Sequence, residues 1–498
     1  MSLISKAFKF LSAGILFLVL AVTALFVFGP VSNPGTILKT VLGQTIDTPT
    51  TETIQQRLKV AEGFSLVRYA TELGHIRFMA TSANGDLLVS QPRQGRVLKL
   101  NHDTNGDNRH DGMSVLIDGL TRPHGLALHN GWLYIAESNA VGRVAFDQTS
   151  GQLIGDYQHI ITGLTDNGNH WTRSLLIHNQ SLFLSLGSTC NVCEEEDPRR
   201  ASIMRFELDG SQGEIFASGL RNSVGLDAAP WNNEIYATDN GRDLLGDDYP
   251  PCELNHIQKN QFYGWPYING FGDLDPDMGE GKEHLLATAT SPVFGFAAHN
   301  APLGIRFIRN ARIPEHYART ALVALHGSWN RRTPDGYKVI ALHWDEQGNI
   351  SSSDFLSGFE QNGDIIGRPV DIAESVDGCL FVSDDYAGTI YRVCYGQQPG
   401  DTLQSPEKLQ QASTPQNFPM AQVTLGKKVF DRHNCLQCHH LNDEGNRSGK
   451  SLQNLSARYQ PDTLAAYLLI PNPPMPRFPL TADEREALAA YLLSQPDL

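Results

Sequence analysis

One phrase recurs through the middle of the chain and restricts its fold more than any other feature: a turn, a short apolar strand, a polar loop, then a second strand. The copies are Gly85-Asp86-Leu87-Leu88-Val89 leading to Arg96-Val97-Leu98, Trp132-Leu133-Tyr134-Ile135 leading to Arg143-Val144, and Ser181-Leu182-Phe183-Leu184 leading to Ile203-Met204-Arg205-Phe206. Glu234-Ile235-Tyr236-Ala237 follows, then Ala321-Leu322-Val323-Ala324 leading to Tyr337-Lys338-Val339-Ile340, and Cys379-Leu380-Phe381-Val382 leading to Ile390-Tyr391-Arg392-Val393. Their spacing of roughly 45 to 60 residues, with one interval near 87, is the blade period of a β-propeller. The wide interval holds a Gly/Pro/aromatic-rich insertion from Pro250 to His299, and the 45 glycines and 27 prolines suit many turns between short strands. A β-sandwich is the alternative, and the regular repetition argues against it. An all-β, six-bladed propeller is therefore predicted over residues 57–396.

Residues 397–419 are Gln-, Pro- and Ser-rich and read as a linker. Beyond them, in residues 420–498, stands Cys435-Leu436-Gln437-Cys438-His439. Two cysteines two residues apart with histidine next is the c-type haem attachment pattern: the thiols bond the haem vinyls and the imidazole ligates iron. Met475, in Pro473-Pro474-Met475-Pro476, is the expected sixth ligand, with Met420 its competitor. A zinc site pairing this motif with Cys190-Asn191-Val192-Cys193 is the alternative. A helix beginning at Leu425 to Phe430, the haem motif, the methionine loop, a capping box at Thr481-Ala482-Asp483-Glu484 and a last helix before Pro496 outline a small all-α, class I-like cytochrome c.

At the other end, Lys6 and Lys9 precede twenty uncharged residues, Phe10 to Gly29, long enough to cross a bilayer. Residues 1–30 read as an uncleaved signal anchor, a transmembrane helix, with a cleaved signal as the alternative, and residues 31–56 as a Thr/Pro/Gly-rich stalk. Either reading exports the remainder to the periplasm, where covalent haem attachment is also expected. Seven cysteines fit that oxidising side: two for haem, Cys379 with Cys394 and Cys190 with Cys193 as possible pairs, and Cys252 left over. A net charge of −15 argues against nucleic acid or an anionic membrane surface as a partner.

Propellers bind ligands at the loop ends around the central channel. Arginines recur in such turns: Arg122, Arg173, Arg221, Arg242, Arg331, Arg332 and Arg368. Pointing inward they would form a cationic well for a polyanion; otherwise each pairs with a nearby acid. Histidine is the natural base near neutral pH, and His124, His170, His299 and His326 all stand at turns. Asp103-x-Asn105-x-Asp107, with Asp111 beyond, has the oxygen spacing of a calcium loop. Asn108 and Ser114 depart from that pattern, so a plain acidic surface loop is the other reading.

Several ordered motifs resemble a known family. His170-Trp171-Thr172-Arg173, Gly187-Ser188-Thr189-Cys190-Asn191-Val192-Cys193, Gly219-Leu220-Arg221-Asn222, Asp239-Asn240-Gly241-Arg242-Asp243, Tyr263-Gly264-Trp265-Pro266, His326-Gly327-Ser328-Trp329-Asn330-Arg331 and Gly367-Arg368-Pro369 are similar to those of the sorbosone dehydrogenase branch of the soluble glucose dehydrogenases. Those are six-bladed quinoproteins using pyrroloquinoline quinone (PQQ). The resemblance implies that His170 is the catalytic base taking a hydroxyl proton while hydride leaves for the quinone, and that Arg221, Asn222, Arg368 and Arg173 bind PQQ. It also implies calcium at the main-chain oxygens of Gly241 and Arg242. The chain departs from the family pattern in having Ser188 where an acid is expected, no second arginine near Val370, and no lysine matching the quinone lysine around His326 to Arg331.

The expectation is a quinohaemoprotein dehydrogenase that oxidises an aldose or aldehyde-type sugar. Its haem, ligated by His439 and Met475, would pass electrons to a respiratory acceptor such as a cytochrome, a cupredoxin or an oxidase. A calcium-dependent propeller lactonase, or a non-enzymatic docking module carrying a cytochrome, are the alternatives.

Overall fold

The computed structural model describes residues 46–309, 312–396 and 418–441, and, from 444 to 495, all but 446–450, 454, 456–458, 460, 470 and 472–474. The expected anchor, residues 31–45 of the stalk and residues 397–417 of the linker lie outside the described residues. Among the described residues no helix is long and apolar enough to cross a membrane. The chain divides between residues 403 and 404 into two compact units.

The first unit is a six-bladed propeller. Blade I spans Met79 to Ile117, blade II Leu126 to Ile161, blade III Arg173 to Ser218, blade IV Ser223 to Phe296, blade V Pro302 to Ser357 and blade VI Pro369 to Tyr395. Each is an antiparallel meander, and the first strands of successive blades touch in a closed ring, that of blade VI meeting that of blade I. Every apolar run singled out in the sequence is a second strand, such as Leu87–Gln91 and Thr320–Leu325. These strands are buried on both faces between neighbouring blades, so they read as nearly continuous hydrophobic runs. Leu88, Val97, Leu133, Ile135 and Val144 fill one such seam; a fully buried Leu or Val is worth roughly 1.5–3 kcal/mol.

The ring closes with a strand from far away in the sequence. Phe64–Ala70 is the outer strand of blade VI, antiparallel to Thr389–Tyr395, while Lys59–Val60 adds an edge to blade V. The Cys379–Cys394 disulfide, with Cα atoms 4.4 Å apart, staples the closing blade. Residues 46–56, expected to belong to an irregular stalk, are folded onto the propeller instead. Thr51–Arg57 forms helix α1, capped by the Thr50 side chain, and its Ile54 is 1% exposed. The short amphipathic turn was masked by the polar composition around it.

The predicted insertion also has different limits. Cys252–Ile257 and Phe294–Phe296 are the third and fourth strands of blade IV, and the excursion lies between them. Its Gln261–Phe262 pairs with the outer strand of blade III. In the Asp103–Asp111 loop Asp103 accepts from the amides of Gly106 (2.8 Å) and Asn108 (2.9 Å), and Arg392 donates to it at 3.2 Å. Asp111 accepts from the Thr104 amide and the Asn105 side-chain amide, and Asp107 from the Arg109 amide, all at 2.9 Å.

The second unit is small and helical: α2 Met420–Arg432, α3 Pro461–Leu469 and α4 Ala482–Leu493. Thr481 and Glu484 form the capping box read from the sequence, and α4 stops at Leu493, short of Pro496, which lies outside the described residues. Helices α2 and α4 cross closely because Gly426 lacks a side chain: a Cβ there would sit 1.9 Å from the carbonyl oxygen of Ala487. Phe430 and Tyr491 pack beside the crossing, ring centroids 5.3 Å apart.

Candidate active site

The first strands of all six blades run the same way around the channel, so the residues just before them gather at one end. These include Arg77, His124, His170, Arg221 with Asn222, His299 and Arg368. The turns after the second strands supply Ser188, Asn240 to Asp243, His326 to Asn330, and Asp385 at that same end.

His170 is half-buried. Its Nδ1 lies 3.0 Å from the Ser188 carbonyl oxygen and 2.9 Å from Ser188 Oγ. A carbonyl only accepts, so Nδ1 carries the ring proton and Nε2 presents its lone pair. Nε2 has no partner among the described residues. Burial, then the Arg221 charge, then Arg200 and Arg173, hold the imidazole well below its ordinary pKa, so it is neutral and poised to accept a proton. Arg173, wholly buried, donates to the carbonyls of Thr165, His170 and Thr172. Arg200, which sequence reasoning missed, donates to those of Gly187, Thr165, Asn167, His170 and Ser188. Both brace the His170 loop; no spacing rule separates such arginines from ligand-binding ones.

Arg221 spends its guanidinium within the protein. It donates to the carbonyls of Asn191 (2.9 Å), Asn240 (3.0 Å) and Gly241 (2.9 Å), to Asn191 Oδ1 (2.9 Å) and to Asp243 (2.9 Å). Asn222 beside it has a side chain without a partner among the described residues, and a Cβ on Gly187 would fall 2.5 Å from its Oδ1 and 2.7 Å from the His170 Cβ. The structure thus brings His170 and Asn222 together. Arg242 points elsewhere, to Asp275 at 2.6 Å and Asp277 at 2.7 Å, leaving only its main chain near Gly241.

Across the channel Asp385 accepts from Arg77 Nη1 and His326 Nε2, both at 2.8 Å, and stands 3.4 Å from His75 Nε2. Arg368 donates to the carbonyls of His326 (3.0 Å) and Gly327 (2.9 Å). Burial, with Arg368 next, pushes His326 down to about 3, while His326, His75 and Arg77 outweigh burial at Asp385 and keep it ionised. Arg77 Nε and His75 Nδ1 are buried with no partner, which suits a polar ligand at that wall. Of the other turn arginines, Arg122 pairs with Asp166 and Arg331 with Asp248, while the Arg332 backbone amide donates to Asp247. His124 is fully buried, its Nδ1 3.2 Å from the Arg173 carbonyl; His299 donates to the Gly246 carbonyl at 2.7 Å.

The model of the TrAA12-like family matches residues 58–267 and 281–395, well over half of the chain. The chain belongs to the TrAA12-like family. The cytochrome c model matches residues 423–496. An uncharacterised protein of Borreliella burgdorferi is 39% identical over 222 residues, 44% of this chain and 58% of that protein. The pyrroloquinoline quinone-dependent pyranose dehydrogenase of Coprinopsis cinerea is 26% identical over 405 residues, 67% of this chain and 54% of that one. The chain thus spans little more than half the length of these relatives. Among solved structures, the Trichoderma reesei carbohydrate-active enzyme of family AA12 superposes with a TM-score of 0.61 at 22% identity, covering 71% of this chain and 100% of its own. The holo PQQ domain of the Coprinopsis enzyme gives 0.59 at 22%, covering 73% and 99%. These likenesses show the propeller fold.

The TrAA12-like chain keeps its haem motif on the second unit. Cys435–Gln437 forms a 3-10 turn after Asn434, whose φ of 56° lets the chain reverse from α2. Cys435, Leu436 and Met475 all pack against the apolar cluster of this unit, whereas Met420 is 79% exposed on α2. Cys190 and Cys193 are joined in a disulfide, so they are not free to complete a zinc site with Cys435 and Cys438.

Proposed function

We propose that this TrAA12-like protein is a quinohaemoprotein dehydrogenase: it oxidises an aldose or aldehyde-type sugar with PQQ and passes the electrons through its own c-type haem to a respiratory acceptor. The observation that carries the reading is the neutral His170 with Nδ1 tied to Ser188 and Nε2 open at the ring of blade ends. Nε2 is the atom that takes the hydroxyl proton of the sugar. PQQ, when bound, supplies the two-electron acceptor for the hydride leaving the same carbon, so an aldose becomes its lactone. Asn222 offers an uncommitted amide beside the base. At the far wall the guanidinium groups of Arg77 and Arg368 outnumber the single Asp385 carboxylate, and neutral His75 leaves Nδ1 without a partner, which suits the carboxylates of PQQ. Arg221 acts by keeping Asn191, Asn240 and Asp243 in place and by holding His170 neutral.

For calcium, the Gly241 carbonyl accepts from Arg221 and keeps one lone pair that would be offered to the ion, with the Arg242 main-chain oxygen as the second expected ligand. A haem attached at Cys435 and Cys438 would be ligated by His439 and Met475 and would supply a one-electron carrier suited to transfer rather than oxygen binding. The two disulfides support a location on the oxidising side of a membrane, and we assign the chain to the periplasm, held by its N-terminal anchor. The test is to load the purified protein with PQQ and calcium, add aldoses in turn and record the haem spectrum. Reduction of the haem by a sugar, dependent on PQQ, is the expected result; lactone hydrolysis with the haem unchanged would instead point to a lactonase.

A further inference from the structure

The Cys190–Cys193 disulfide lies in the loop that holds the proposed base, and no role has been given to it. Its Cα atoms are 6.2 Å apart, closing a four-residue ring after the second strand of blade III. Ser188, just ahead of the ring, donates from its amide to the Arg221 carbonyl (2.7 Å), meets His170 Nδ1 with both its oxygens, and donates from Oγ to the Cys190 carbonyl (2.7 Å). Asn191, inside the ring, accepts Arg221 Nε at its carbonyl and receives Arg221 Nη2 and the Asp243 amide at Oδ1. The bridge therefore fixes the two residues on which His170 and Arg221 rest. Both its cysteines are half-buried, while Cys379 and Cys394 are 5% and 3% exposed and Cys252 is 1% exposed, so a dissolved reductant meets the site disulfide first.

Resting on the function proposed above, we propose that Cys190–Cys193 is a redox-operated positioning lock: the site is assembled while the disulfide is closed and slackens when a dithiol opens it. In opening, the dithiol gives two electrons and two protons, the S–S bond breaks, two thiols form, and the dithiol becomes a disulfide. Re-oxidation by a disulfide oxidant reverses each step. Without the ring, the Cys190 carbonyl no longer holds Ser188 Oγ, so His170 Nδ1 keeps a single anchoring oxygen. Asn191 is likewise freed from Arg221. The chain is then fully active only where disulfides form, which couples its activity to export.

The experiment treats the haem-loaded protein with dithiothreitol, alkylates it with iodoacetamide, removes both reagents and only then adds PQQ; the double variant Cys190→Ala/Cys193→Ala is prepared in parallel. Peptide masses confirm that alkylation is confined to Cys190 and Cys193. We expect kcat for sugar-dependent dye reduction to fall at least about tenfold while KM changes less than about twofold. We also expect the acid limb of the pH profile to rise as His170 becomes less buried among Arg173, Arg200 and Arg221, and the Ser188 amide to exchange hydrogen at least about tenfold faster. Omitting the alkylation and re-oxidising restores all three. A reduced protein and double variant with kcat and Ser188 exchange within twofold of the oxidised protein would overturn the lock. If the oxidised protein turns over no sugar, the functional reading fails by itself, and Ser188 exchange alone decides the lock: faster exchange supports it and unchanged exchange overturns it.

Discussion

In the proposed mechanism the chemistry at His170 depends on one uncommitted nitrogen, so His170→Ala is expected to lower kcat by roughly 10²–10⁴-fold while PQQ still binds, as measured by fluorescence titration of the apoprotein. On that reading the neutral imidazole is the active form, and its pKa is lowered by burial and by Arg221. Activity should therefore stay flat through neutral pH and fall only well below pH 6.5. Ser188→Asp, placing a carboxylate beside Nδ1, favours the protonated ring and should move that fall to higher pH in a kcat/KM profile. Residue identity made His170 visible only through its motif neighbours; by spacing it matched His124, His299 and His326. The structure separates them by partners, since His326 meets Asp385, His299 meets Gly246 and His124 is enclosed. The turn arginines show the same limit. Arg173 and Arg221 resemble ligand residues in sequence, yet their donors go to protein oxygens that only the folded loops bring near.

Among the elements, blade IV carries a cost beneath the site. Asp239 and Glu253 are cross-strand neighbours; burial raises Asp239 to about 7, and burial with Asp239 beside it raises Glu253 to about 8. Carboxyls whose folded pKa lies above the unfolded value of about 4 hold protons that the unfolded chain has released, so stability is lost as pH rises from about 4 to about 8. Glu253→Gln should remove part of that loss. The new amide has a ready acceptor, because Asn255 Oδ1 is buried without a partner and the Asn255 amide can turn to meet it. Thermal melts should show the variant gaining more over wild type at pH 8.5 than at pH 5. In the small unit, Gly426→Ala forces α2 away from the Ala487 carbonyl. Such overpacking costs about 1–3 kcal/mol, and the expected result is a lower melting temperature of the cytochrome unit with the propeller transition unchanged. The second strands of the blades were legible because they are buried on both faces. First strands of three or four residues, such as Met79–Thr81 and Leu126–His129, are too short to show a period. Outer strands such as Gln152–Ile161 are largely exposed and polar, so nothing in their composition marks them.

Over the whole molecule, the contact least visible in the sequence is the one that closes the ring, Phe64–Ala70 against Thr389–Tyr395, because alternation shows that a strand exists and not which distant strand it meets. Residues 397–417, outside the described residues, are Gln/Pro/Ser-rich; acting as the expected linker, a random coil of that length would span roughly 25 Å. A tether of that length would set an effective concentration near the millimolar range. Cutting the chain within residues 397–417, by an inserted protease site, leaves the proposed sugar oxidation with the propeller and the haem on the other fragment. The cut protein should still reduce a soluble dye with sugar at its original rate. Its haem reduction at micromolar protein should fall by about two to three orders of magnitude and become proportional to the concentration of added cytochrome fragment, approaching the uncut rate near millimolar. Stopped-flow traces of haem absorbance before and after cleavage measure this directly. A rate unchanged by cutting would mean that the two units bind each other tightly without the tether, and dye reduction lost with the cut would mean that the propeller needs the cytochrome unit for its own chemistry.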